Sequence, residues 1–149
     1  MEDKAILLVE DHKSTGRLVI GTLNDIYPSL SEKLGTIKWV RTPAEAEAAL
    51  QSKTFAAAII DDSFKEGNAP ADDKAGIELV RNIRAGMFGA AHAKIPLLGN
   101  YSHADTKEAF EKAGVSQCNA KEKGQGYLDF IRDYNLAQEE KAAFKEAAR

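Results

Sequence analysis

Cysteine is nearly absent from this chain, with Cys118 the single one in 149 residues. A lone cysteine cannot close an intramolecular disulfide, so the core must hold the fold and a reducing, cytoplasmic compartment is expected. Long apolar runs are missing as well. The first run, residues 5–9, stops at the carboxylates of Glu10 and Asp11. It is far shorter than a signal-peptide core or the roughly 20 residues that cross a bilayer, so no membrane partner is expected. Positive charge is not concentrated anywhere. Twenty Lys and Arg against 23 Asp and Glu leave a net charge of −3, with no basic stripe. Nucleic-acid binding needs such a stripe to displace counterions, so no nucleic-acid partner is expected. Internal repeats and low-complexity stretches are also lacking.

What remains is one ordinary globular domain over residues 1–149, long enough to bury a core without metal or disulfide staples. Short apolar runs alternate with segments of helical period, the pattern of α/β domains. Residues 5–9 form an unbroken apolar run, as in a strand covered on both faces. Leu18, Val19, Leu23 and Ile26 then recur at helical spacing until Pro28 and Ser29. Residues 37–40 read as a second strand. Thr42-Pro43-Ala44-Glu45 supplies a capping hydroxyl, a proline for the first helical position and a glutamate to complete the box, opening a helix to about Gln51. Residues 55–60 form a third strand, 61–75 a polar loop and 76–84 an amphipathic helix. A glycine-containing loop covers 86–94, and a fourth strand starts at Ile95-Pro96. A helix over 105–113 ends at Gly114. Residues 115–120 are a weak fifth strand, and an extended C-terminal helix begins at about 127. Five βα units in this order predict a flavodoxin-like, doubly wound parallel sheet of order 2-1-3-4-5, helices on both faces. Ligands of such sheets sit at the carboxyl ends of strands one and three.

Those ends carry the chemistry-bearing residues. Strand one ends in Glu10-Asp11, strand three in Asp61-Asp62, strand four near Tyr101-Ser102 and strand five at Lys121. Carboxylates crowded into one crevice repel one another unless a cation intervenes. A hard divalent ion, above all Mg²⁺, suits such oxygen ligands. With a carboxylate nucleophile and a compact lysine charge, the set fits phosphoryl transfer onto an aspartate. Each residue alone has an ordinary explanation. Glu10 and Asp11 open a loop, Lys121 is a surface lysine, Cys118 is a small buried apolar residue, and His12, His92 and His103 stand apart from any metal-ligand spacing.

Four segments in order, spanning residues 4–134, resemble response-regulator receiver domains. ILLVED (6–11) is similar to the family's first strand and acidic pair. FAAAIIDDSF (55–64) is similar to the third strand and its phospho-accepting aspartate, which aligns with Asp61, Asp62 being the adjacent alternative. GIELVRNIR (76–84) resembles the third helix, and AGVSQCNAKE (113–122) resembles the segment ending in the family's lysine, Lys121. The resemblance implies Mg²⁺ held by Glu10, Asp11, Asp61 and the backbone carbonyl of Ser63. It implies Asp61 as nucleophile and Lys121 against a phosphoryl oxygen. A sensor histidine kinase or histidine phosphotransfer protein would be the donor, and a downstream protein would dock on the face of helix 4, strand 5 and helix 5. Catalysis would extend to self-phosphorylation and dephosphorylation, with no separate substrate turned over.

The chain departs from that family at several positions. The small hydroxyl residue that ends strand four aligns with Tyr101, with Ser102 one step on as the alternative. The usual prolines give way to Lys65 and Glu122, the aromatic of strand five to Cys118, and the loop from 61 to 76 is long. A receiver-like module that acts through protein contacts without phosphorylation is the alternative these departures raise.

Overall fold

The computed structural model describes residues 5–64, 74–121 and 123–137. Five parallel strands form one sheet of order β2-β1-β3-β4-β5: β1 (Ile6–Val9), β2 (Ile37–Val40), β3 (Ala57–Asp61), β4 (Leu97–Tyr101) and β5 (Gln117–Ala120). Among the described residues, five helices connect them, α1 (Lys13–Ile26), α2 (Pro43–Ser52), α3 (Ala75–Arg84), α4 (Ala90–Ala93) and α5 (Ala104–Ala113), and α6 (Gly124–Asp133) follows β5. The expected fold class and strand order are those observed.

The pleat sorts the strand residues onto two cores. Leu7, Val9, Ala58, Ile60 and Leu97 face α2, α3 and α5, where Leu50, Val80, Ile83 and Phe110 complete one cluster. Ile6, Leu8, Ala57, Ile59 and Leu98 face α1 and α6, where Val19, Leu23, Tyr127, Phe130 and Ile131 complete the other. Alternate residues of β1 and β3 thus enter opposite layers and all are buried, which explains the unbroken apolar runs of these central strands. A buried Leu, Ile or Phe contributes about 1.5–3 kcal/mol relative to exposure, so the two layers supply the main stabilising force.

Local signals account for several boundaries. Thr42 caps α2, its hydroxyl accepting from the Glu45 amide at 3.1 Å and donating to the Glu45 carboxylate at 3.2 Å, while Pro43 opens the helix. Gly114 ends α5 at a φ of 109°, a left-handed position that favours glycine. At the amino-terminal edge of β4 and β5, Arg84 from the end of α3 donates to the carbonyls of Gly114, Ala93 and Ile95 at 2.8, 3.1 and 2.7 Å.

Several expectations need correction. The loop over 86–94 contains the single turn α4, anchored by buried His92. Its Nε2 accepts from the Phe55 amide at 3.0 Å, and its Nδ1 therefore donates to the Phe88 carbonyl at 2.9 Å. The last helix begins at Gly124 and stops at Asp133, with Asn135 at a φ of 51° beyond it; it does not run on from about 127 as an extended helix. Within this helix Gly126 is placed so that a Cβ would lie 1.8 Å from Asn119 Oδ1. Leu18, assigned to the apolar face of α1, is 44% exposed, and Cys118 is half-buried. Lys65, Glu122 and the tail beyond Ala137 lie outside the described residues.

Candidate functional site

Strand register assembles the site. Val9 lies beside Ile60 in the β1–β3 pair, so the next residues, Glu10 and Asp61, emerge side by side at the carboxyl edge. On the other flank Asp61 lies beside Asn100, and Tyr101 beside Ala120. The chain then leaves β4 at Ser102 and β5 at Lys121, whose amide still donates to the Tyr101 carbonyl at 3.0 Å. This is the switch point of the sheet.

Glu10 and Asp61 are buried, at 1% and 2% exposure. One oxygen of Glu10, Oε2, accepts from the His12 amide at 3.0 Å, and Asp61 Oδ1 accepts from the Asp62 amide at 2.8 Å and pairs with Lys121 Nζ at 2.5 Å. The other oxygens, Glu10 Oε1 and Asp61 Oδ2, are buried with no hydrogen-bond partner among the described residues. Glu10, Asp11 and Asp61 each present an oxygen within 4.8 Å of the others. Orphaned buried acceptors of this kind are uncommon and point to a missing cation or proton. Burial, then the Glu10 charge, pushes the Asp61 carboxyl up to about 9 against the Lys121 ammonium, and burial likewise raises Glu10. An all-oxygen set with two unsatisfied carboxylate oxygens fits a hard divalent ion such as Mg²⁺. Asp11 is further positioned through its carbonyl, which accepts from the Arg41 guanidinium at 2.7 Å.

The remaining expected residues divide. Lys121 lies against the aspartates, and its ammonium is held above its ordinary value. Burial opposes that rise, but the Asp61 hydrogen bond and the charges of Asp61, Asp62 and Glu10 outweigh it. Ser102, not Tyr101, carries the hydroxyl that reaches the acidic end of β3, and its target is Asp62. The Tyr101 ring packs against the α3–α5 core, with Lys107 Nζ 6.0 Å from its centre. Ser63 continues the chain toward buried Phe64, and the role of its carbonyl rests on the resemblance alone. The Cys118 thiol is pushed up to about 11, by burial and then by Glu111.

Sequence reasoning missed two features. Asp62 is 1% exposed and gathers donors from residues forty positions away. Beneath the site, Asn100 donates to the Tyr127 hydroxyl at 2.8 Å and Asn119 donates to Asn100 at 3.1 Å, all three buried. Asparagines at the ends of the fourth and fifth strands and a tyrosine in an amphipathic helix carry no signal that they meet. Burial leaves this network few alternative partners, so it fixes α6 against the ends of β4 and β5. The lack of a side chain at Gly76 lets the backbone close up behind the site, where a Cβ would lie 1.8 Å from the Asp61 carbonyl oxygen.

No family model and no curated protein sequence matches the chain. Solved structures do. The receiver domain of the sensor histidine kinase PA1611 from Pseudomonas aeruginosa, solved with a magnesium ion in its active-site cleft, superposes with a TM-score of 0.67 at 18% identity, covering 90% of this chain and 99% of that one. The chemotaxis response regulator CheY4 of Vibrio cholerae gives 0.66 at 20% identity, covering 87% and 97%. The NtrX receiver domain of Brucella abortus gives 0.65 at 17%, covering 87% and 96%. Among the described residues, no helix is long and apolar enough to cross a membrane. The sheet order and these superpositions agree: this chain has the fold of the response-regulator receiver domains.

Proposed function

We propose that the protein is a phosphorelay receiver in which Asp61 takes a phosphoryl group from a phosphohistidine. The observation that carries this reading is the state of Asp61 at the end of β3. One of its oxygens is tied to Lys121, and the other lies beside Glu10 and Asp11 with no hydrogen-bond partner among the described residues. Asp61 would form a new O–P bond as the P–N bond to the donor imidazole breaks. The imidazole departs with the electron pair and takes a proton, leaving an acyl phosphate that water later hydrolyses. Lys121 neutralises one oxygen of the incoming group, and the preset distances supply the positioning that phosphoryl transfer needs. Mg²⁺, held by Glu10, Asp11, Asp61 and the Ser63 carbonyl, would supply charge neutralisation and keep Asp61 ionised. Superposition on the magnesium-containing receiver supports that assignment.

The donor would be a sensor histidine kinase or histidine phosphotransfer protein. The output face would be α5, β5 and α6, which correspond to the helix 4, strand 5 and helix 5 of the sequence numbering. Signalling in the cytoplasm through a protein target, with no separate substrate turned over, completes the reading.

Intact-protein mass after incubation with Mg²⁺ and acetyl phosphate tests it. A single phosphoryl adduct is expected, absent without Mg²⁺ and absent from Asp61→Asn. An adduct that persists in Asp61→Asn and disappears in Asp62→Asn would move the acceptor to the neighbouring aspartate. No adduct from acetyl phosphate or from a phosphohistidine donor, in a folded protein, would leave a protein-interaction module that works without phosphorylation. The metal has its own readout. Trp39 donates to the Glu10 carbonyl at 2.8 Å and is the single tryptophan, so its fluorescence should titrate with Mg²⁺. Asp11→Asn should weaken that titration, and an unchanged midpoint would refute the metal assignment.

A further inference from the structure

Among the described residues, the Asp62 carboxylate has four polar partners, all in the segments that leave β4 and β5. The Ser102 amide donates to Oδ2 at 2.6 Å and the Thr106 hydroxyl to Oδ2 at 2.8 Å. The Ser102 hydroxyl donates to Oδ1 at 3.0 Å, and Lys121 Nζ lies 3.3 Å from Oδ1. It is a buried carboxylate with both oxygens engaged by three hydrogen-bond donors and an ammonium, and charge-assisted bonds of this kind are the stronger class. Ser102 directly precedes His103, the cap residue of α5, and Thr106 occupies the first turn. A negative charge here also complements the positive end of that helix.

The location gives this tether its meaning. A phosphoryl group on Asp61 would need cationic and hydrogen-bond donors within reach of the neighbouring carboxylate. Lys121, which pairs with Asp61, also lies against Asp62, and Ser102 at the end of the neighbouring strand already serves Asp62.

We propose that Asp62 is a built-in anion that draws the turn between β4 and α5 onto the end of β3, standing in for the phosphoryl group that Asp61 would carry. The tether is independent of the receiver reading; only its equivalence to a phosphoryl group rests on that reading. The turn is thus already seated in the unmodified protein, and phosphorylation has to compete for Lys121 and Ser102 instead of recruiting them. Tyr101, with its ring turned into the α3–α5 core, is compatible with a turn that needs no small hydroxyl at that position.

Hydrogen exchange resolved by peptide tests both parts. In metal-free buffer, Asp62→Ala should speed exchange over residues 101–107 by about tenfold or more, as expected when a local closing contact is lost. Peptides from β1 and α2 should stay unchanged, which also reports an intact fold. The pair Ser102→Ala and Thr106→Val, which keeps the carboxylate, should give a smaller increase in the same peptide. Unchanged exchange there in Asp62→Ala would overturn the tether. Mg²⁺ with beryllofluoride, a phosphoryl mimic, should slow that peptide in Asp62→Ala and alter the wild type less than about twofold. A large slowing in the wild type would overturn the stand-in role while leaving the tether. If beryllofluoride binds neither protein by ¹⁹F NMR, the receiver reading fails and so does the stand-in role; the metal-free comparison still decides the tether.

Discussion

Replacing Asp61 by asparagine should make the metal-free protein more stable, and the gain should grow with pH. The carboxyl is 2% exposed and raised from 3.8 to about 9. A group raised in this way contributes its full stability below the unfolded value. That contribution is lost as pH rises toward the folded value, because the unfolded chain releases the proton and the folded one retains it. At 1.36 kcal/mol per pH unit, the loss is about 2 kcal/mol at pH 5, about 4 at pH 7 and about 6 at pH 8. Asparagine does not titrate, so Asp61→Asn removes this penalty. The substitution also loses the pairing with Lys121, but Lys121 keeps Asp62 at 3.3 Å, and the introduced amide can donate to the orphaned Glu10 Oε1. Allowing about 2 kcal/mol for the lost hydrogen bond from the Lys121 ammonium, the variant should match the wild type near pH 5 and exceed it by roughly 2–4 kcal/mol at pH 8. Urea unfolding in EDTA at the two pH values measures this, and the melting temperature at pH 8 should rise by several degrees. Saturating Mg²⁺ should erase the advantage, since the ion stabilises the wild-type carboxylate cluster by mass action. A variant less stable than the wild type at pH 8, or a margin independent of pH, would refute the claim that burial and Glu10 strain Asp61.

Three further outcomes follow from other parts of the molecule. His92→Ala should destabilise by about 2–3 kcal/mol in denaturant titrations, because the buried Phe55 amide loses its acceptor and a cavity opens; a change below about half a kcal/mol would show that water replaces the ring without cost. Gly76→Ala should lower stability by several kcal/mol or abolish folding, since the new methyl meets the Asp61 carbonyl oxygen at 1.8 Å and the backbone behind the site must shift. The Cys118 thiol, pushed up to about 11, should react with a disulfide reagent at pH 8 far more slowly in the folded protein than in urea, and equal rates would contradict its half-buried setting.

The strands were legible because two central strands buried on both faces leave unbroken apolar runs, and the fold class follows from their alternation with helices. The pairing of Glu10 with Asp61 was legible for the same reason: each follows the last apolar residue of adjacent parallel strands. Asp62 was visible only as a rival to Asp61. Its bonds to Ser102 and Thr106 span forty or more positions, and no local pattern marks them. Tyr101 and Ser102 stayed open until the ring direction was known. The turn α4 has no side-chain cap to announce it, and the start of α6 was misplaced because its first turn holds Gly124 and Gly126, a residue type that disfavours helices.

Arg84 has a consequence at the opposite edge of the sheet from the acidic pocket. By gripping three carbonyls from α4, its following turn and the end of α5, it bolts down the entrances to β4 and β5. Any rearrangement at the exits of those strands therefore swings about a fixed base. A small displacement at Ser102 or Lys121 becomes a tilt of α5 instead of a slide of whole strands, as a lever turns on its fulcrum.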